Sequence, residues 1–135
     1  MIRFVVFIRP YAIYLLALWI IAIITMSSIP GIPTLKLHTD RSDIRLDYLI
    51  HFIEYGVLTF LAFLSFGSKD FRINARKVIV IILLAIMFAF ADEYHQRYIP
   101  GRTFNPKDLI SNISGIAGAT VFYLYVAYLV TKKKD

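Results

Sequence analysis

The sequence contains no cysteine and few charged residues. The absence of cysteine excludes disulfide bonds, thiolate nucleophiles and sulfur-ligated metal ions. Charged residues make up 18% of the 135 residues, below the roughly 25% of ordinary soluble domains. Hydrophobic residues reach 59%, more than a short soluble chain can bury, because small folds leave a large share of their surface in water. The composition therefore favours a protein surrounded by lipid.

Four apolar runs predict an all-α, polytopic membrane protein, a four-transmembrane-helix bundle in a single domain. The predicted helices cover about 4–26, 47–66, 78–96 and 107–130. The N-terminal run resembles a signal peptide, but it has no small-residue cleavage site and is interpreted as the first helix. After it, Pro30, Gly31 and Pro33 predict a polar loop that runs on to Arg45, because closely spaced prolines and glycine prevent helix formation. Asn105-Pro106 predicts the start of the fourth helix.

The distribution of basic residues predicts the orientation in the membrane. Nine Lys and Arg residues lie on the side that holds both termini, and six lie on the other side, where six acidic residues offset them. The positive-inside rule therefore places both termini in the cytoplasm. The formal net charge of +6 comes from clusters beside apolar runs, so anionic membrane lipids, and no nucleic acid, are the expected partners.

Polar residues at helical spacing occur at the predicted outer ends of three helices. They are Asp47, His51 and Glu54 on the second helix, Asp92, Glu93 and Gln96 on the third, and Asp108 and Asn112 on the fourth. Residues three or four apart share one face of a helix, so these side chains are expected to meet near one membrane face. Isolated ionisable groups at that depth are costly, and they are expected to pair or to line a wet cavity.

Each of these residues also has a structural interpretation. His51 and Glu54 could form a hydrogen-bonded pair in the bundle core, and Asp108 could complement the dipole of its helix. Asp92 and Glu93 could end their helix at the interface, held by a neighbouring arginine. A metal site made of His51, Glu54, Asp92 and Glu93 is disfavoured, because no pair of histidines lies one helical turn apart. No metal ion or other cofactor is therefore expected.

The run from Asp92 to Arg102, Asp-Glu-Tyr-His-Gln-Arg-Tyr-Ile-Pro-Gly-Arg, continues to Asp108, Asn112, Gly115 and Gly118. This pattern resembles the signature of the VanZ-like family: an Asp-Glu pair, a Gln three residues later, Pro-Gly-Arg, and then Asp, Asn and Gly at helical spacing. Further similar features are Asp47, His51 and Tyr55 on the second helix and Ser27-Ser28-Ile29-Pro30 after the first. Tyr48 differs, since many relatives carry Lys there.

The resemblance implies a small protein of the bacterial cytoplasmic membrane with about four helices. The family is named for a member that confers low-level resistance to the glycopeptide teicoplanin. For this chain, the resemblance leads us to expect a cell-envelope protein and a link to such resistance.

The favoured functional hypothesis is an extracytoplasmic polar pocket that binds or modifies an anionic or glycan-bearing lipid, such as a lipid-linked cell-wall precursor. Catalytic proton transfer is assigned to His51, Asp92 and Glu93. Substrate binding is assigned to Asp47, Glu54, Gln96, Arg102, Asp108 and Asn112, with the Arg102 fork suited to phosphate or carboxylate.

The alternative hypothesis is a non-catalytic membrane scaffold or binding protein, in which the polar residues only brace the bundle. Ion or proton transport is less favoured, because the polar residues cluster on one side and do not continue across the second to fourth helices.

Overall fold

The computed structural model describes residues 2–31, 36–39, 42–68 and 70–133. Within these ranges the chain is predominantly helical. Its elements are α1 (Ile2–Ile8), a 3-10 turn (Arg9–Tyr11), α2 (Ala12–Ser28), β1 (Lys36–Thr39), β2 (Ser42–Arg45), α3 (Asp47–Phe66), α4 (Ala75–Gln96) and α5 (Pro106–Lys132).

The observed helices follow the predicted ones closely. The helix predicted at 47–66 has the observed bounds of α3, while α4 begins three residues earlier than predicted and α5 extends slightly at both ends. The first apolar run is divided by the 3-10 turn at Arg9-Pro10, where Pro10 has no backbone N–H for a helical hydrogen bond. α5 begins as predicted, since the Asn105 side chain accepts a hydrogen bond from the Lys107 N–H and Pro106 takes the first helical position.

The predicted polar loop contains a short antiparallel hairpin, which the sequence analysis did not anticipate. Its strands β1 and β2 pair from Lys36 opposite Arg45 to Thr39 opposite Ser42. The helix-breaking residues of the loop end at Pro33, so the residues after them can adopt extended conformations. Residues 32–35 and 40–41 of the predicted loop lie outside the described ranges.

The helices run up and down, so that the bundle has two chemically different ends. At one end the last turns of α2 and α4 meet the first turns of α3 and α5, where Ser27 contacts Asp92 and His51 contacts Asp108. We call this the site end. At the opposite end the Arg9 guanidinium donates a hydrogen bond to the Ser68 carbonyl oxygen (2.6 Å).

Apolar side chains fill the bundle between its two ends. Near the site end the core includes Leu16 and Ile23 of α2, Leu58 of α3, Ala89 of α4 and Ile116 of α5. A second cluster of buried apolar residues fills the opposite end, where the rings of Phe63 and Tyr123 stack with centroids 4.5 Å apart. The clusters join helices that are distant in sequence, and they hold the polar ends of these helices in register.

The outward faces of the long helices are also apolar. Leu18 on α2, Leu49 on α3, Met87 on α4 and Val121 on α5 are all more than half exposed. A helix that is apolar both inside and outside the fold is typical of a membrane span. Three helical segments have the length and apolarity to cross a membrane: Arg3–Ser28, Asp47–Phe66 and Pro106–Lys132. The membrane crossing predicted for α4 stays a prediction.

α3 and α5 form the most extensive helix pair, and glycines allow their backbones to approach closely. A Cβ atom at Gly115 would overlap the Phe52 carbonyl oxygen, and one at Gly56 would lie 3.6 Å from the Gly115 carbonyl oxygen. Small residues at such contacts let membrane helices pack by van der Waals attraction. The contact lies one helical turn beyond Asn112 and therefore sets the spacing of the site end.

We predict that Gly115→Ala lowers the melting temperature of the detergent-solubilised protein by at least about 5 °C, because the added methyl group forces α3 and α5 apart. The matched control is Gly118→Ala on the same helix, where the new Cβ would lie 3.4 Å from the Phe52 ring, an ordinary contact. The control is expected to melt at or above the wild-type temperature, since alanine favours a helix over glycine. Wild-type melting of Gly115→Ala would contradict the close backbone contact.

Candidate polar site at one end of the bundle

The site end brings together polar residues from α3, α4 and α5, as the sequence predicts. Asp92, Glu93, Gln96, Asp108 and Asn112 are buried there. His51 and Glu54 of α3 are half-buried beside them, and Asp47 lies half-buried in the first turn of α3. The buried residues and His51 fall into two groups according to their partners.

Asp92 is fully engaged by hydrogen bonds from two other helices. Its Oδ1 accepts a hydrogen bond from the Ser27 hydroxyl of α2 (2.5 Å), and its Oδ2 accepts one from the Tyr55 hydroxyl of α3 (3.1 Å). A buried carboxylate is tolerated when donors satisfy it, and it then fixes the groups around it. Asp92 therefore ties α2, α3 and α4 together.

Arg102 joins the turn after α4 to the end of α2. Its guanidinium donates hydrogen bonds to the carbonyl oxygens of Met26 (2.8 Å) and Ile29 (3.2 Å) and to Oε1 of Gln96 (3.1 Å). The last carbonyls of a helix lack intrahelical partners and carry partial negative charge, so a cation there is favourable. The guanidinium group of Arg102 therefore binds oxygen atoms of the protein itself.

Two Ile-Pro-Gly turns pack against each other beside Arg102. Gly31 and Gly101 both have positive φ angles, +63° and +79°, which glycine adopts without strain. The Gly31 N–H donates a hydrogen bond to the Pro100 carbonyl oxygen (3.2 Å). The turn after α2 and the turn after α4 therefore form one unit, which completes the braced side of the site end.

Glu93 is adjacent to Asp92 but has different partners, because neighbouring residues of a helix point about 100° apart. Its Oε1 accepts a hydrogen bond from the backbone N–H of Asn105 (2.7 Å), which fixes the start of α5. The whole residue is 0% exposed, and its other oxygen, Oε2, has no hydrogen-bond partner among the described residues. Oε1 is therefore hydrogen-bonded within the protein, whereas Oε2 can still accept a hydrogen bond or bind an ion.

His51 lies between two carboxyl groups. Its Nδ1 is 3.8 Å from Oε2 of Glu54, and its Nε2 is 3.8 Å from Oδ2 of Asp108. These distances are too long for hydrogen bonds and short enough for electrostatic attraction to a protonated ring. Within the described part of the chain, His51 Nδ1 and Asp108 Oδ1 are buried without a hydrogen-bond partner.

Asn112 lies one helical turn after Asp108 and is 0% exposed. Neither Nδ2 nor Oδ1 of its side chain has a hydrogen-bond partner within the described ranges. A buried polar group without a partner costs about 1–3 kcal/mol, and native structures contain few of them. Within the described ranges, the site end contains several such groups, contributed by α3, α4 and α5.

The site end thus consists of two sets of residues. The braced set has internal partners for its side chains and comprises Ser27, Tyr55, Asp92, Gln96 and Arg102. The open set has buried atoms without hydrogen-bond partners and comprises His51, Glu93, Asp108 and Asn112. The roles assigned to all these residues from the sequence stay predictions.

Three contributors to the site end were not among the predicted site residues. Ser27 and Tyr55 bind Asp92, and Asn105 binds Glu93. Helical spacing places Tyr55 on the polar face of α3 with His51 and Glu54, and both Tyr55 and Ser27 belong to the family pattern in the sequence. The position of Ser27 does not indicate its partner, which lies 65 residues further along the chain.

Three helices that are long and apolar enough to cross a membrane, with a polar cluster at one end of the bundle, indicate a membrane protein of the helical class. The VanZ/LLP1 family model matches residues 11–129, which is most of the chain, and the protein therefore belongs to the VanZ/LLP1 family. Neither a search of curated proteins nor a search of solved structures found a significant match.

The braced set predicts that Arg102→Lys destabilises the protein, because an ammonium group cannot reach three acceptors in the plane of the guanidinium. We expect a loss of about 1–3 kcal/mol in the free energy of unfolding, measured by thermal or chemical denaturation in detergent. The matched control is Arg97→Lys, since Arg97 is exposed on the preceding turn and lies over the Tyr94 ring. Equal stability of the two variants would contradict the bracing role.

Proposed function

We propose that this protein binds the head group of an anionic or glycan-bearing lipid at its site end, on the outer face of a bacterial cytoplasmic membrane. The observation that carries the proposal is the open set of residues, whose buried polar atoms lack hydrogen-bond partners among the residues described. A head group that enters the site end from the membrane would supply these partners.

The chemistry of the open set favours hydroxyl groups as ligands. The carboxyl oxygens of Glu93 and Asp108 accept hydrogen bonds, and the side-chain amide of Asn112 both donates and accepts. A sugar hydroxyl can do both as well, so a glycan-bearing head group matches these atoms. A bare phosphate would meet the carboxyl groups of Glu93 and Asp108, while the guanidinium of Arg102 is engaged by Met26, Ile29 and Gln96.

The position of the site end supports a lipid ligand. Tyr94 and Tyr98 at the end of α4 are exposed and stack edge-to-face at 5.8 Å, and tyrosine is enriched at membrane–water interfaces. α4 also exposes Leu84 and Met87 on its outer face, which supports its assignment as a fourth span. With both termini in the cytoplasm, as the Lys and Arg distribution predicts, the site end faces outward.

Modification of the bound head group would require proton transfer, and His51 is the group best placed for it. The ring lies between the carboxyl groups of Glu54 and Asp108, and an imidazole can accept a proton on one nitrogen and donate one from the other. Glu93 could also take part, because its Oε2 has no hydrogen-bond partner among the described residues. Asp92, also predicted to be catalytic, has both oxygens engaged, so its contribution is to position the helices.

A role in resistance to teicoplanin follows from the same proposal, if the bound lipid is a cell-wall precursor or lies beside one. Expression of the protein in a susceptible bacterium is then expected to raise the minimal inhibitory concentration of teicoplanin. His51→Gln is expected to remove this increase, while protein abundance stays at the wild-type level.

A scaffold function is the second candidate, and the braced set favours it. Asp92 and Arg102 connect α2, α3 and α4 through internal hydrogen bonds, which is what a purely structural polar cluster does. On this view the open set has no ligand. The two functions therefore make different predictions for variants of the open set. Such variants weaken lipid binding if the protein binds lipid there, and they leave it unchanged if the protein is a scaffold.

Lipid binding can be measured on the purified protein by native mass spectrometry and by thermal shift. The probes are phosphatidylglycerol as an anionic lipid, a diglucosyl diacylglycerol as a glycan-bearing lipid, and phosphatidylcholine as the control. We expect the glycolipid or phosphatidylglycerol to bind at least about tenfold more tightly than phosphatidylcholine. His51→Gln and Asn112→Ala are expected to reduce this preference about tenfold, because each removes an open polar group.

The matched control is His95→Gln, since His95 is exposed on α4 outside the open set. This variant should keep the wild-type preference. Equal binding of all three lipids by the wild type, or an unchanged preference in both open-set variants, would overturn the proposal and favour the scaffold.

A further inference from the structure

Three side chains from three helices bring metal-ligating atoms together inside the site end. One ring nitrogen of His51 (α3), one carboxyl oxygen of Glu93 (α4) and one of Asp108 (α5) all lie within 4.8 Å of one another. The three residues are separated widely in sequence, so only the packing of the bundle creates this group. The spacing of histidines in the sequence gave no indication of it.

The three side chains have unused ligand capacity. Glu93 Oε2, Asp108 Oδ1 and His51 Nδ1 are buried and lack a hydrogen-bond partner in the described part of the chain. Glu93 is 0% exposed. No Lys or Arg among the described residues forms an ion pair with Glu93 or Asp108. Two carboxyl groups at this depth require either protons or a positive ion.

We propose that His51, Glu93 and Asp108 bind one divalent metal ion of the zinc or manganese type. An imidazole combined with carboxylates suits these ions better than calcium or magnesium, which prefer oxygen ligands alone. Ligand bonds to zinc are about 2.0–2.2 Å long and meet at roughly tetrahedral angles, so atoms bound to one ion lie about 3.4 Å apart. The observed atoms lie within 4.8 Å of one another, so each side chain would move inward by about 1 Å or less to bind one ion.

Neighbouring residues supply the support that metal ligands require. Oε2 of Glu54 lies 3.8 Å from His51 Nδ1, and Oδ2 of Asp108 lies 3.8 Å from the other ring nitrogen, Nε2. A carboxylate in this position commonly orients a metal-bound histidine. The Asn105 N–H holds Oε1 of Glu93 at 2.7 Å and fixes the direction of that carboxyl group.

Three protein ligands leave a coordination position open, as is usual in metal sites that bind water or a substrate. A head-group oxygen or phosphate could then bind the ion directly. The metal inference rests on the same cluster as the proposed lipid binding, but it is tested without lipid, so either idea can fail while the other stands.

Metal content is the primary test. The protein, carrying a tag without histidine, is stripped with EDTA in detergent, supplied with Zn²⁺ or Mn²⁺ and passed through a desalting column. Mass spectrometry of the elements should then find about one ion per chain for one of these metals, and none after Ca²⁺ or Mg²⁺. The bound metal should raise the melting temperature by roughly 5–10 °C at saturating concentration.

His51→Gln and Asp108→Asn should each abolish both the bound ion and the thermal shift. Their melting temperatures in EDTA show that the variants are folded. Glu54→Gln should keep the site but weaken its affinity about 10–100-fold, since it removes only an orienting partner. The matched control His95→Gln should bind like the wild type, because His95 lies outside the group.

A wild-type protein that retains neither Zn²⁺ nor Mn²⁺ would overturn the inference. If folded His51→Gln retained one metal ion per chain, or if His95→Gln lost the ion, the ion would bind elsewhere in the protein. Either result would also overturn the inference.

Discussion

The arrangement of this protein depends on one constraint: polar groups inside an apolar bundle need partners. Bulk water does not reach the interior of such a bundle, so each carboxyl, amide or guanidinium group must be satisfied by the protein, by a bound water, by an ion or by a ligand. At the site end this constraint divides neighbouring residues. Asp92 receives two hydroxyl donors from other helices, whereas the adjacent Glu93 receives one backbone donor and keeps one oxygen open.

The packing of the helices makes this division possible. The glycine contact between α3 and α5 brings His51 and Asp108 to the same level, and the paired Pro-Gly turns bring Arg102 to the last carbonyls of α2. The braced set then connects the ends of α2, α3 and α4, while Oε1 of Glu93 fixes the start of α5. One end of this small bundle therefore contains internally paired polar groups and, among the described residues, buried polar atoms without a hydrogen-bond partner.

Much of the fold follows from the sequence, because its signals are local. The apolar runs give the helices, Asn105-Pro106 gives the start of α5, and helical spacing places the polar residues of α3, α4 and α5 on faces that meet. The division of the site end does not follow, because it depends on pairs distant in sequence. The Ser27 hydroxyl binds Asp92, which lies 65 residues further along the chain. Arg102 has the geometry to bind phosphate, but it binds backbone carbonyl oxygens, which every residue has and which a sequence pattern therefore cannot indicate. Likewise, the grouping of His51, Glu93 and Asp108 arises from packing alone.

The most direct test of this account compares two isosteric substitutions at adjacent positions, Asp92→Asn and Glu93→Gln, through their free energies of unfolding in detergent with EDTA present. Asp92→Asn should lower the stability by about 1–3 kcal/mol, because its amide group presents a donor where a hydroxyl donor already lies. Glu93→Gln should match or exceed the wild type, because its Oε1 can still accept the Asn105 hydrogen bond and a neutral amide replaces a buried ionisable group. Equal destabilisation by both substitutions would contradict the division of the site end into a braced set and an open set.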